Sequence, residues 1–362
     1  MFGFVVFFLA TLSFICAAPD VTYVSPTPAS GAITTSTTVT INSSITEPNL
    51  KMLVYNWDGT NFTFYNASLL FFMNFDNRSG LGENRTRVVD LSHYSTNGTV
   101  SGGAAWNSSG KYGGAYSFNG NGGIITDQSV MNNLIGFTMA GWVNVGTTGS
   151  RISLFGQNDA VEFGFSDANT LLLWTSNGGS VSWTINSTLF PLNTWNFLTV
   201  VGQNYSAPFL NLYINGVSQA TGGTNVSNFG SSTYNFSIGT GVFDATGGNV
   251  TGAVDDVMVF NRSLSSVEIY QLYVSSLTKV NITSWQMSVV QAKNVSEPLS
   301  YKDYTYYVAA TNSSNSYSPI SIQTLSVSRG SDGSVPEFRV YGLFLIIVIA
   351  VGSFFVMKQE YA

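Results

Sequence analysis

Few residues in this 362-residue chain could do chemistry, and their scarcity is informative. His93 is the only histidine and Cys16 the only cysteine. A zinc site or a Ser-His-Asp triad would have to rest on His93 alone, so it reads as a loop histidine. Cys16 lies in the N-terminal apolar run, so neither a disulfide nor a cysteine-based metal centre is expected in the mature chain. Retaining glycoside cleavage needs two carboxylates about 5 Å apart. No Glu-x-Asp-x-(x)-Glu run on one strand occurs, and Glu162 is followed by Phe-Gly-Phe-Ser before Asp167. An enzyme is therefore not expected. Binding chemistry remains. A sugar site needs an exposed aromatic platform with amides beside it. Trp174 and Trp183, on neighbouring predicted strands either side of Gly178-Gly179, are the residues expected to supply one. The same spacing also fits burial in a second sheet.

The elements that must position these residues are strands. Charged residues are 9% of the chain, against roughly 25% in ordinary domains. The net charge is −6 with no basic cluster, which excludes nucleic acid as a partner, since phosphate neutralisation needs Lys and Arg. Hydrophobic residues at 44% exclude disorder. Short strands are predicted at 37–41, 52–57, 60–65, 138–145, 163–165, 170–174, 180–185, 197–202 and 210–214. Asp58-Gly59 and Asn215-Gly216 mark two-residue hairpins. Only 265–274 has helical spacing, with Val267, Tyr270 and Tyr273 on one side. Ala140 and Trp142, and Leu198 and Val200, alternate, so one face of each strand is expected in a core with Trp142 and Trp195. Many short strands argue for sandwiches.

Five motifs occur in the order of a known family. Asp90-Leu-Ser, Asn97-Gly98-Thr99 and Gly110-Lys-Tyr-Gly-Gly-Ala-Tyr-Ser-Phe118 resemble the opening of a laminin-G-like (LamG-like) jelly roll. Phe137-Thr-Met-Ala-Gly-Trp-Val143 is similar to its next core strand. Leu192 to Val200 with Leu210 to Gly216 is similar to its central hairpin, and Gly252 to Ile269 to its closing strand and helix. The resemblance covers about 66–275 and implies a concanavalin-like antiparallel jelly-roll sandwich. It also implies calcium as the ion, held by Asp and Asn oxygens. Asp255 and Asp256 match the family's Asp-Asp pair, with Asp76 and Asp90 as further ligands. Adjacent strand residues point to opposite faces, so only one of the pair could ligate; the other reading is a hydrogen bond that pins a loop. Ser117-Phe-Asn-Gly-Asn-Gly-Gly123 lacks the carboxylates that the family often carries there.

The flanks suggest a host. Residues 20–65 supply about four strands and 279–328 about three, and neither half closes a sandwich. Tyr304-Thr-Tyr-Tyr-Val-Ala-Ala-Thr-Asn312 resembles the penultimate strand of fibronectin type III and Ig-like folds, with Tyr304 as the corner tyrosine. The expectation is one Ig-like β-sandwich, 20–65 with 279–328, into which a jelly roll of 66–278 is inserted. The alternative is two unrelated β-extensions. The insert's first strand, near 68–75, is expected to pair with its last, near 254–260.

Both ends read as targeting segments. Residues 1–18 have the apolar run and small residues of a signal peptide, without the usual basic start. Residues 340–357 are uncharged and would span about 27 Å as a helix. A stalk at 329–338, one transmembrane helix at 339–357 and a cytoplasmic tail at 358–362 are expected. Val335-Pro-Glu-Phe338 resembles the PEF-type sorting signal of archaeal surface proteins. Sixteen Asn-x-Ser/Thr sequons lie between the two ends, as in an exposed glycoprotein ectodomain. The functional expectation is a cell-surface, membrane-anchored module binding an extracellular glycan or protein in adhesion. The alternative is a passive glycosylated envelope component.

Overall fold

Two tight turns show how local sequence shapes the architecture. Asp58 and Gly59 take left-handed φ of 50° and 84°, and Trp57 faces Thr60 across them. Asn215 and Gly216 do the same at 50° and 79° between Ile214 and Val217. Both are the hairpins that Asp-Gly and Asn-Gly predict. The computed structural model describes residues 17–243 and 248–330, and everything below refers to them.

An eight-stranded sheet runs in the order Val217–Gly222, Leu210–Ile214, Asn196–Gln203, Gly136–Thr147, Thr251–Phe260, Ala115–Asn119 and Ala105–Asn107, with Leu69–Met73 also on Thr251–Phe260. A ten-stranded sheet stacks on it and includes Gly179–Thr184, Thr170–Thr175, Val161–Asp167, Phe155–Gln157 and Phe236–Ile238. Phe71, Met139, Val200 and Val259 of the first sheet meet Phe163, Leu171, Leu173 and Ile238 of the second, all fully buried. Phe71 and Phe236 bring their rings to 5.0 Å. This is the jelly-roll sandwich. As expected, Met73, Phe72 and Phe71 pair with Val257, Met258 and Val259, so the first and last strands are neighbours.

One expectation is corrected. The central strands of the eight-stranded sheet, Gly136–Thr147, Thr251–Phe260 and Asn196–Gln203, are buried on both faces, not one. Trp142 pairs with Phe197 and Ala140 with Thr199, so Trp142 and Ala140 look away from Leu198 and Val200, which fill the sandwich interior. The outer face enters a second core of Phe72, Trp142, Phe197, Met258 and Phe260. Trp142 is buried there and Trp195 packs half-buried at its edge. Helix Ser266–Tyr273 covers part of this face, with Tyr273 5.5 Å from the Trp142 ring. Ser265 and Glu268 form a reciprocal capping box that starts the helix. Its buried side is Ile269, Tyr270, Gln271 and Leu272. Val267, expected beside Tyr270 on one face, is instead 56% exposed.

The flanks cover the rest. Asp20–Val24, Val39–Thr46, Ser284–Gln291 and Ser275–Lys279 form one sheet in that order. Ala32–Thr34, Gln323–Val327, Asp303–Asn312, Leu50–Trp57 and Thr60–Tyr65 form another. Each sheet mixes strands from before and after the jelly roll. Ser275–Lys279, expected to end the insert at 278, pairs with Ser284–Gln291 in the flank sheet. Phe64, Leu277 and Trp285 of the flanks share the second core with Phe72 and Met258. Among the described residues no helix is long and apolar enough to cross a membrane. Of the segments expected at the ends, residues 1–16 of the signal peptide with Cys16, most of the stalk, the transmembrane helix and the tail lie outside the described residues. Of the sequons, Asn312 is closed to modification in the fold. It is fully buried, and its Nδ2 donates to Ala17 O at 2.9 Å.

Candidate functional site

The four aspartates expected to bind an ion do not converge as one ligand set. Asp90 is buried in its own turn. Its Oδ1 accepts from the backbone N–H of Phe72 and Ser92, both at 2.9 Å, and its Oδ2 from Ser92 Oγ at 2.7 Å and Thr96 N at 2.8 Å. The other three lie against the glycine loop 110–114. Asp255 accepts from Tyr112 N at 3.0 Å and Asp256 N at 2.8 Å. Asp76 accepts from Gly114 N at 3.0 Å and Asn74 Nδ2 at 2.8 Å. Glycine at 113 is required, since its φ is +64° and a Cβ would lie 2.1 Å from Asp76 Oδ1. Pinning this loop is what Asp76 and Asp255 visibly do.

Asp256 differs. Opposite it the ladder slips, Asp255 facing Trp142 and Met258 facing Ala140, so one extra residue is bulged out. Asp256 takes φ 48° there. The bulge breaks the alternation that would send the two carboxylates to opposite faces, and both are buried. Burial pushes the carboxyl of Asp256 well above its ordinary pKa, and the charges of Asp255 and Asp76 push it further. Burial likewise raises Asp255, against hydrogen bonds that lower it. Calcium asks for six to eight oxygens. Three of the four carboxylates already spend both oxygens on N–H or O–H donors, and among the described residues no group of three acids or imidazoles is arranged to hold a metal. The set does not fit calcium as it stands.

The tryptophan platform is also corrected. Trp174 pairs with Ser180, and Trp183 with Leu171. Leu171 is a core residue, so Trp183 shares the inner face and packs half-buried on the jelly-roll core. Trp174 is three positions further along the same strand and lies on the other face. They cannot stack on one ligand. Glu162 sits opposite Trp174, buried, and accepts from Asp159 N at 3.0 Å. Asp167 stands exposed at the far end of that strand.

A large cleft lies elsewhere. It measures ≈ 770 Å³ and is walled by flank residues 48–51, 279–285 and 313 on one side and by jelly-roll residues 80–95 on the other. Leu50, Tyr65, Leu91 and Trp285 form its buried floor. The Tyr65 ring lies 4.7 Å from His93 and 5.2 Å from Trp285, and Tyr65 Oη donates to Leu91 O at 2.9 Å. On the rim, Tyr94 is 47% exposed and donates its hydroxyl to Ala67 O at 2.9 Å. Asn49, Lys51, His93, Lys279 and Ile282 complete the rim. His93 Nε2 lies 3.2 Å from Lys51 O. The lone histidine is thus a loop residue, but one held at the mouth of a cleft. Sequence reasoning missed this place. Its local signal was the aromatic pair His93-Tyr94 just after Asp90-Leu-Ser, in a loop with no strand periodicity to bury it.

Residues 118–270 match the model of the family described as the Concanavalin A-like lectin/glucanases superfamily. The resemblance read from the motifs is shown for that segment. No curated protein matches the chain closely enough to count as a relative. Among solved structures, domain 4 of the arabinanase AbnA from Geobacillus stearothermophilus, in complex with arabinotriose, is 20% identical with a TM-score of 0.40, over 56% of this chain and 96% of that one. The binding domain of botulinum neurotoxin DC is 12% identical with a TM-score of 0.44, over 72% and 78%. Trypanosoma rangeli sialidase is 15% identical with a TM-score of 0.42, over 58% and 33%. At these scores none says which ligand this chain takes.

Proposed function

We propose that this chain is an extracellular glycan-binding module, and that the cleft between the flanks and the jelly roll is its site. The observation that carries the reading is the cleft itself. Its ≈ 770 Å³ lies within the range of small-molecule sites, about 300–1,000 Å³. It also offers what a sugar needs: the exposed ring of Tyr94, the amide of Asn49 and the hydrogen-bonding edges of His93 and Lys51. The match of the jelly roll to a lectin-containing superfamily agrees with this.

The flanks are proposed as one Ig-like domain interrupted by the jelly roll. Their strand order supports this: Asp20–Val24 lies beside Val39–Thr46 in one sheet, and in the other Asp303–Asn312 lies between Gln323–Val327 and Leu50–Trp57, as in an Ig-type sandwich. Tyr304 Oη donates to Ser300 O at 3.0 Å, four residues upstream, as a corner tyrosine would. The insert's adjacent first and last strands suit a guest whose ends must meet the host together. The apolar runs near both ends, within residues 1–18 and 340–357, support the further proposal of a single-pass surface protein in adhesion. Protease added to intact cells should then shave the chain ahead of residue 339, and full protection in sealed cells would remove the surface location.

Binding is tested by screening the full chain against immobilised glycans. Tyr94→Ala should weaken whatever binds by about 1–2 kcal/mol, roughly tenfold, because the stacking face is lost while the fold is not. Ordered self-assembly with no glycan bound would favour a passive coat. Unchanged binding by Tyr94→Ala would move the site away from the cleft.

A further inference from the structure

The cleft carries a charge opposite in sign to the chain's net. The chain carries a net −6, with 13 Lys and Arg against 19 Asp and Glu. Yet the cleft gathers Lys51 and Lys279, and Asp90 is the one acid in its lining. Asp90 turns inward. Four donors from Phe72, Ser92 and Thr96 occupy its oxygens, so none of them is presented to a ligand. Lys293 and Lys302, by contrast, are each paired with a carboxylate, Glu297 and Asp58. Lys51 and Lys279 have no such partner among the described residues. The ammonium of Lys51 is steadied by Asn315 Oδ1 at 2.6 Å, and that of Lys279 sits 4.8 Å from the Trp285 ring centroid. An ammonium has three donors. One neutral acceptor, or one ring face, leaves donors and a full charge over.

The two lysines come from opposite ends of the sequence, on strands Leu50–Trp57 and Ser275–Lys279. They are set on one rim with the aromatic edge of His93 and Tyr94 between jelly-roll and flank walls. A concave site lined by one sign of charge focuses its field and raises the local concentration of the opposite sign. A neutral sugar would gain nothing from this. An anionic one would place its carboxylate or sulfate at the ammonium groups and its ring on Tyr94.

From this we infer that the cleft selects an anionic saccharide, one bearing a carboxylate or a sulfate ester. The inference rests on the glycan-binding reading above and adds the ligand's charge to it. The test is calorimetric titration of the purified full chain with three size-matched probes: an oligogalacturonate, a sulfated galacto-oligosaccharide and a neutral galacto-oligosaccharide. At least one anionic probe should bind ten times or more tightly than the neutral one, and its affinity should fall as salt is raised, as screening requires. Which of the two binds tells carboxylate from sulfate. Lys51→Gln and Lys279→Gln should each weaken the anionic probe by roughly fivefold, the effect of one partly exposed charge pair. Each should weaken the neutral probe less than the anionic one, because a neutral sugar meets the lysines through hydrogen bonds alone, and the melting temperature checks that the fold survives. Equal binding of all three probes, indifferent to salt and to the lysines, would overturn the charge selectivity and leave glycan binding standing. Binding of none of the three here, and of no glycan in the immobilised screen, would overturn both.

Discussion

Phe72→Ala is expected to lower stability by about 3–5 kcal/mol, the cost of truncating a fully buried phenylalanine, and to loosen the jelly roll and its flanks together. Phe72 has no exposed surface. It lies on the outer face of the jelly-roll sheet, where Phe64, Leu69, Phe72, Met258, Leu272 and Leu277 surround one small void. Phe64 and Leu277 belong to the flanks, Phe72 and Met258 to the jelly roll. A sheet buried on both faces cannot lose one covering layer without exposing large apolar area. A flank sandwich that stands without the insert is therefore not expected. Denaturation followed by hydrogen exchange should show peptides from Thr170–Thr175 and from Asp303–Asn312 losing protection at one denaturant concentration, shifted equally by the substitution. Two separate transitions, with only one of them moved by Phe72→Ala, would mean that the shared core does not couple the two sandwiches.

Asp256→Asn should stabilise the protein at neutral pH. Among the described residues nothing donates a hydrogen bond to the Asp256 carboxylate, which is 4% exposed and faces the charges of Asp255 and Asp76. Lys111, in the loop against it, holds its ammonium over the Trp142 ring, 4.2 Å from the centroid. A carboxyl whose pKa is raised by folding binds its proton more tightly folded than unfolded. The folded state therefore holds more protons from the ordinary value of about 4 upward to the raised value. Stability is full below that window and falls as pH rises through it. Asparagine has the same shape, tolerates the left-handed φ at this position and carries no charge. A gain on the order of 1–3 kcal/mol at pH 7 is expected from removing an uncompensated buried charge, shrinking towards zero near pH 4. Melting curves in chelator across that range check it. If millimolar calcium instead raised the parent's melting temperature and Asp256→Asn abolished the rise, the aspartates would be a calcium site after all.

What was legible in the sequence was local or periodic. Asp58-Gly59 and Asn215-Gly216 announce their turns because only a few residues accept left-handed φ. The pairing of 69–73 with 257–260 was readable because both strands carry the same apolar character. Burial of the outer sheet face was not, because it depends on what lies across from it, and Phe64 and Leu277 come from outside the jelly roll. Trp174 and Trp183 looked like one platform because they are close in sequence on adjacent strands. Register put them on opposite faces, and register follows from cross-strand pairing. Asp255-Asp256 read as one ligand and one bystander under strict alternation, and a single bulged residue undid that. The cleft was least legible, since Lys51 and Lys279 come together only when flank strands from both ends assemble.

The most direct test of the cleft as the binding site is hydrogen–deuterium exchange of the full chain, with and without a saturating saccharide from the glycan screen. Protection is predicted in segments 48–51, 89–95 and 279–285, with Gly179–Thr184 and the 110–114 loop unchanged. Protection confined to Thr170–Thr175 and Gly179–Thr184, with the cleft segments exchanging as in the free protein, would contradict the account and return the site to the tryptophan-bearing sheet.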